Sequence, residues 1–249
     1  MSEVIRAPAG GVAPVSKRVM NLANFLNQAM RRYPDAPALV MGDSTLSWRE
    51  LDRRVSALAL ALRAQGLAKG DRLLVHSRNG FEMVETQLAA FRLGAVWAPA
   101  NFRISPDEAQ WLAELTEARI LIIGAEFERH YEAIRDINDN LAFTVRIGEG
   151  AFGDAAYDDF LREYEGQACG NADVEHDDPC WFFFTSGTTG KSKAAVLTHG
   201  QMGFITTNHL CDLMPGMDHS TDASLVVAPL SHGSGIHYLA QLARGIKTV

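Results

Sequence analysis

The sequence predicts an α/β fold, a mostly parallel sheet flanked by helices. Three observations carry that expectation. Short apolar strands alternate with amphipathic helices, the strands read as near-continuous apolar runs, and glycine turns or capping residues separate many of the elements. At 249 residues, 47% hydrophobic and 21% charged, the chain can bury one large core or two smaller ones.

The opening MSEVIRAPAGGVAPVSKRVM mixes Gly, Pro and charge without an uninterrupted apolar run, so residues 1–19 are expected to be a mobile leader and not a signal peptide. In TLSWRELDRRVSALALALRAQG, Leu51, Val55, Leu58 and Leu62 fall on one helical face. Ser47 and Glu50 have the spacing of a capping box, and Gly66 can close the helix. A strand is expected over Arg72–His76. Phe81, Val84, Leu88 and Phe91 then mark a second helix that stops at Gly94, and AVWAPA resumes an extended run, completing a βαβ unit. Ser105, Pro106 and Glu108 supply an N-cap, an N1 proline and a capping-box partner for a helix to about Thr116, with the buried-type strand ARILIIG behind it.

A helix near Phe127–Ile137, a strand over Phe143–Ile147 and a helix near Tyr157–Tyr164 complete a first α/β subdomain, residues 20–165. The polar, acidic GQACGNADVEHDDP, residues 166–179, reads as a linker. Residues 180–249 start a second α/β subdomain with a glycine-rich loop, a helix near Gly200–Leu210, a strand SLVVAP and a helix over Gly235–Ala243. The final ARGIKTV reads as a turn and the opening of another strand, so the chain is expected to be partial.

The formal charge of −7 and pI near 5.6 give no basic field for a nucleic-acid backbone. Cys169, Cys180 and Cys211 share no metal or paired spacing, and an odd count without a secretory signal suits the cytoplasm. Arg92 interrupts the apolar LAAFRLGAVWAPA, so no transmembrane segment is expected. His232 and His237, five apart, lack zinc spacing, and His76, His130, His176, His199, His209 and His219 form no cluster, so no metal site is expected. A homodimer is left open.

The chemistry concentrates in WFFFTSGTTGKSKAAVLTHGQM, Trp181 to Met202. A Walker loop needs Gly where Thr185 stands and should enter a helix, whereas AAVLT is β-prone; the loop is expected to join two strands. Gly187 and Gly190 let amides turn toward a phosphate chain, Thr188 and Thr189 add hydroxyls, and Lys191 and Lys193 supply charge-assisted bonds. None is a good nucleophile or general base. The set suits electrostatic stabilisation of a pyrophosphate leaving group; the plain alternative is a solvated turn. SHGSGIH is no nucleophile elbow, because His232 and Ile236 stand where glycines are required around Ser234.

TSGTTGKSK resembles the signature of the adenylate-forming superfamily, which includes acyl-CoA synthetases and the adenylation domains of peptide synthetases. Ser192 and Ala194 depart from its usual Pro and Gly. The resemblance extends over TLSWRELDRRVSALALALRAQGLAKGDRLLVHSRN, LGAVWAPANFRISPDEAQWLAE and VVAPLSHGSGIH. It implies the first half of that fold's large N-terminal domain and an AMP-forming acyl-CoA ligase using ATP, Mg2+ and CoA on a small carboxylic acid. The phosphate cradle would be Thr185, Ser186, Gly187, Thr188, Thr189, Gly190 and Lys191, with Lys193 stabilising phosphate charge as the catalytic residue. His232 and Gly233 would shape the carboxylate site. By the same resemblance the adenine pocket and a second catalytic lysine lie beyond Val249, so the chain alone is expected to be inactive. A non-catalytic nucleotide-binding fragment and a Walker-type NTPase are the competing readings.

Overall fold

The computed structural model describes residues 18–135, 137–138, 140–185 and 191–249. Strand β1 (Arg18–Val19) precedes α1 (Asn24–Arg32), a helix that buries Phe25, Leu26 and Ala29 and was not anticipated from sequence. The hairpin of β2 (Pro37–Met41) and β3 (Ser44–Ser47) was also unanticipated; it turns through Gly42, whose φ of 57° suits glycine. Ser47 caps α2 (Trp48–Ala64) with the full reciprocal box: its hydroxyl accepts from the Glu50 N–H, and Glu50 accepts from the Ser47 N–H at 2.8 Å.

The expected βαβ unit follows as β4 (Arg72–His76), α3 (Phe81–Leu93), ended by left-handed Gly94, and β5 (Val96–Ala100). Next come α4 (Pro106–Thr116), β6 (Ile120–Gly124), a 3-10 turn into α5 (Glu128–Arg135), β7 (Phe143–Ile147), β8 (Ala155–Ala156) and α6 (Tyr157–Arg162). Strand β9 (Val174–Glu175) lies in the stretch expected to be a linker. It pairs antiparallel with β1, so Arg18 and Val19, placed by sequence in the leader, are held in a ladder; residues 1–17 lie outside the described residues.

The last third comprises β10 (Pro179–Thr185), β11 (Lys193–Thr198), α7 (His199–Asn208) running into a π-helical turn, β12 (Ala223–Ser224), α8 (Gly233–Arg244) and β13 (Lys247–Thr248). The strand expected over SLVVAP is reduced to Ala223–Ser224. It pairs with β13, beyond which the Val249 N–H donates to the Ser224 carbonyl at 2.8 Å and the Val226 N–H to the Val249 carbonyl at 2.9 Å, while Leu225 and Val227 stand exposed.

Seven strands form the main sheet in the order β11-β10-β5-β4-β6-β7-β8, parallel except for the antiparallel β10–β11 pair. A second sheet has the order β12-β13-β2-β3. Alternation along the central strands sends side chains to two separate cores. Leu73, Val75, Ile120 and Ile122 join the core under α2 and α3, while Leu74, Leu121 and Ile123 join the one under α4 and α5. Helices thus cover both faces, which is why these strands read as continuous apolar runs.

Arg92, the charge that breaks the apolar run, is 1% exposed. Its guanidinium donates to Ser56 Oγ at 2.6 Å, Asp52 Oδ1 at 2.7 Å and Asn27 Oδ1 at 3.0 Å, tying α3 to α1 and α2. A buried charge is tolerated when it is paired in this way. Among the described residues, no helix is long and apolar enough to cross a membrane.

Candidate functional site

Strands β10 and β5 run parallel, with Trp181 opposite Trp97, so Thr185 and Asn101 emerge at the same carboxyl edge of the sheet. Ligands of open α/β sheets gather at that edge. The phosphate-type loop joins β10 to the antiparallel β11, and Thr185 pairs with Lys193. It therefore closes a hairpin, as its β-prone continuation implies, and a strand follows where a Walker loop requires a helix. Ser186, Gly187, Thr188, Thr189 and Gly190, the middle of the expected cradle, lie outside the described residues.

A cleft of about 440 Å³ opens beside the loop, lined by Asn101, Ile104, Glu108, Leu112, Phe183, Phe184, Thr185, Ser192 and His232. Two residues singled out in the sequence, Thr185 and His232, thus share one space. His232 precedes α8, where it occupies the N-cap position. Its ring stands edge-on to Phe183 with centroids 5.5 Å apart, and its Nδ1 is 3.0 Å from Ser231 Oγ. Burial lowers its pKa, so the ring is neutral at neutral pH.

The other candidates are placed differently. Lys193 is exposed at the start of β11 and does not line the cleft. Lys191 holds its ammonium 4.0 Å from the centroid of the Trp111 ring. Gly233 opens α8, and a Cβ there would meet nothing within 4 Å. Gly235 is the glycine under steric demand: a Cβ on it would lie 2.2 Å from the Leu230 carbonyl oxygen and 2.8 Å from Trp181.

The sequence also misassigned Glu108. Ser105 does cap α4, accepting from the Glu108 N–H at 3.2 Å. The Glu108 carboxylate does not complete a capping box; it accepts from the Ser192 hydroxyl. Trp111 donates from Nε1 to the Ser192 carbonyl at 2.9 Å, so the exit of the loop is fastened to α4. This contact joins residues distant in sequence, and no local spacing could have announced it.

Residues 26–249 match the family model of AMP-binding enzymes, and the chain belongs to that family. Its relatives include the feruloyl-CoA synthase of Amycolatopsis sp, 32% identical over 219 residues, which are 88% of this chain and 41% of the relative. The 3-hydroxybenzoate–CoA ligase of Aromatoleum sp. (strain CIB) is 32% identical over 67% of this chain and 32% of its own length. The chain therefore spans less than half the length of these curated relatives. An anthranilate CoA ligase in complex with anthranoyl-AMP superposes with a TM-score of 0.85 at 22% identity, over 92% of this chain and 45% of that structure. The benzoate CoA ligase of Burkholderia xenovorans LB400 gives 0.80 at 18% identity, over 92% and 45%. At those identities the structural likeness establishes the fold, that of the N-terminal domain of adenylate-forming CoA ligases.

Proposed function

We propose that the native protein activates a carboxylic acid with ATP and transfers the acyl group to CoA. The observation that carries the proposal is the single cleft joining Thr185, at the mouth of the loop, to His232, at the head of α8. In the first step a carboxylate oxygen attacks the α-phosphorus, the bond to the bridging oxygen breaks, and pyrophosphate departs with the electron pair. In the second, the CoA thiol attacks the acyl carbon and loses its proton, and AMP departs.

The first step accumulates charge on the leaving pyrophosphate. We assign its stabilisation to the amides and hydroxyls of Thr185–Lys191 and to the ammonium of Lys193, whose flexible stem can carry charge from the strand to the phosphates. Among the described residues no three His, Cys, Asp or Glu side chains form a metal site. Mg2+, implied by the resemblance, would arrive on the phosphates and supply charge neutralisation there.

Neutral His232 meets the acid as a hydrogen-bonding ring, and with Phe183 it builds an aromatic wall. That wall, together with the feruloyl and hydroxybenzoate specificities named for the relatives, supports an aromatic carboxylate as substrate. The three free cysteines support a reducing, cytoplasmic setting.

The test is ATP–pyrophosphate exchange by the full native polypeptide across a panel of aromatic and aliphatic acids, followed by detection of the CoA thioester. Exchange that depends on an aromatic acid is expected. Phosphate release without any acid would replace the proposal with a nucleotide hydrolase, and ATP binding without exchange would leave a binding protein.

A further inference from the structure

We propose that Glu108 is a positioning residue for the exit of the phosphate loop and that, with Trp111 and Ser192, it separates the roles of the two lysines. The inference rests on the adenylation reading above. In α2 the capping glutamate returns its carboxylate to the cap N–H; in α4 Glu108 gives its carboxylate to Ser192 Oγ. Three residues on, and so on the same helix face, Trp111 binds the Ser192 carbonyl through Nε1 at 2.9 Å and carries the Lys191 ammonium over its ring at 4.0 Å. Two consecutive loop-exit residues thus meet α4 through three different contacts, and Ser192 is buried.

The clamp acts on the site in two ways. Immediately after Ser192 the chain enters β11 with Lys193 opposite Thr185, so fixing Ser192 fixes where Lys193 leaves the backbone. In a fully extended run Lys191 and Lys193, two apart, would face the same side and compete for one anion. The Trp111 ring draws Lys191 aside and leaves Lys193 to the phosphates. Glu108 and Ser192 also line the cleft that holds Thr185 and His232, which places the clamp in the wall of the proposed site.

The experiment compares Glu108→Ala, Ser192→Ala, their double variant and Glu108→Gln in the full native polypeptide, by the KM and kcat of pyrophosphate exchange and by hydrogen exchange without ligand. Each single alanine variant should raise the KM for ATP about tenfold while moving the KM for the acid by less than about twofold. The double variant should lose no more than either single, and Glu108→Gln, whose amide oxygen still accepts, should stay within about twofold of wild type. Multiplying losses, or an effect confined to the acid, would overturn the proposal. In the free protein Glu108→Ala should speed exchange at the amides of residues 191–193 and leave the rates at 195–198, in the strand paired with β10, unchanged; unchanged rates at 191–193 would overturn it independently of any activity. If Glu108→Ala does not fold, Ser192→Ala deletes the same bond and faces the same two readouts. Faster amide exchange at 191–193 in Glu108→Ala, together with no pyrophosphate exchange by the unsubstituted protein, would instead uphold the clamp and refute the adenylation reading.

Discussion

Gly235→Ala tests whether the head of α8 sets the acyl side of the cleft. The added Cβ would stand 2.2 Å from the Leu230 carbonyl oxygen, against the 3.0 Å that real Cβ contacts keep, a shortfall of about 0.8 Å. Neither neighbour can yield cheaply. The Leu230 oxygen is backbone, its N–H is tied to Asn79 Oδ1 at 2.9 Å, and Trp181 is fully buried with its ring 4.9 Å from that of Trp97. The helix must therefore move, and His232, which is joined to Gly235 by a 2.9 Å backbone bond, moves with it. Overpacking of this kind costs about 1–3 kcal/mol. A displacement near 1 Å at a reacting site costs up to about a hundredfold in rate. Urea denaturation reads the first quantity, and pyrophosphate exchange with a panel of acids reads the second. Gly203→Ala is the control: it lies within α7, its Cβ would meet nothing within 4 Å, and it should stabilise by about 0.5–1 kcal/mol. If Gly235→Ala matched wild type in both assays, the steric reasoning about α8 would be refuted.

Lys193→Ala should lower adenylation about ten- to a hundredfold, the worth of one charge-assisted contact, and Lys191→Ala much less; equal losses would defeat the assignment of the two lysines. Substituting His232 should reorder the preferred acids more than it changes the apparent affinity for ATP, and an unchanged ranking with weakened ATP binding would show that the ring belongs to the nucleotide. His76 and His199 are buried as neutral rings, with burial pushing their pKa values down to about 3 and about 4 from 6.5. The unfolded chain gains protons there below pH 6.5 and the folded chain does not, so stability is full above that pH. It should fall as pH drops toward 4, by about 1.4 kcal/mol per pH unit for each ring; thermal melts show the slope, and His76→Phe should reduce it.

Elements with a complete local signal were legible in the sequence. The Ser47–Glu50 box and the Leu51–Leu62 stripe are set by neighbours in the chain, and the strands at 72–76 and 120–124 show as uninterrupted apolar runs because both faces of the sheet are covered. The unanticipated helix α1 lacks a capping signal, since Ala23 at its N-cap makes no side-chain bond, and its short apolar face of Phe25, Leu26 and Ala29 is committed by packing into the main core. The site divides in the same way. Loop composition pointed to Lys191 and Lys193, and the family resemblance to Thr185 and His232; of these four the structure brings Thr185 and His232 into one cleft. Glu108 and Gly235 were missed because what commits them, Ser192 in one case and Leu230 with Trp181 in the other, is brought close only by the folded chain.

The pairing of β10 with β5 has a consequence for the order of assembly. Strand β5 belongs to a unit, β4-α3-β5, that closes through near neighbours in sequence, whereas β10 must return across four intervening strands and three helices to reach it. Closing so long a segment costs chain entropy that is recovered only once the receiving edge is in place. The loop hangs from the end of β10, and its exit is fastened to α4, which also precedes it in the chain. During synthesis the platform can therefore mature before β10 and β11 leave the ribosome, and those strands first meet their supports as finished surfaces.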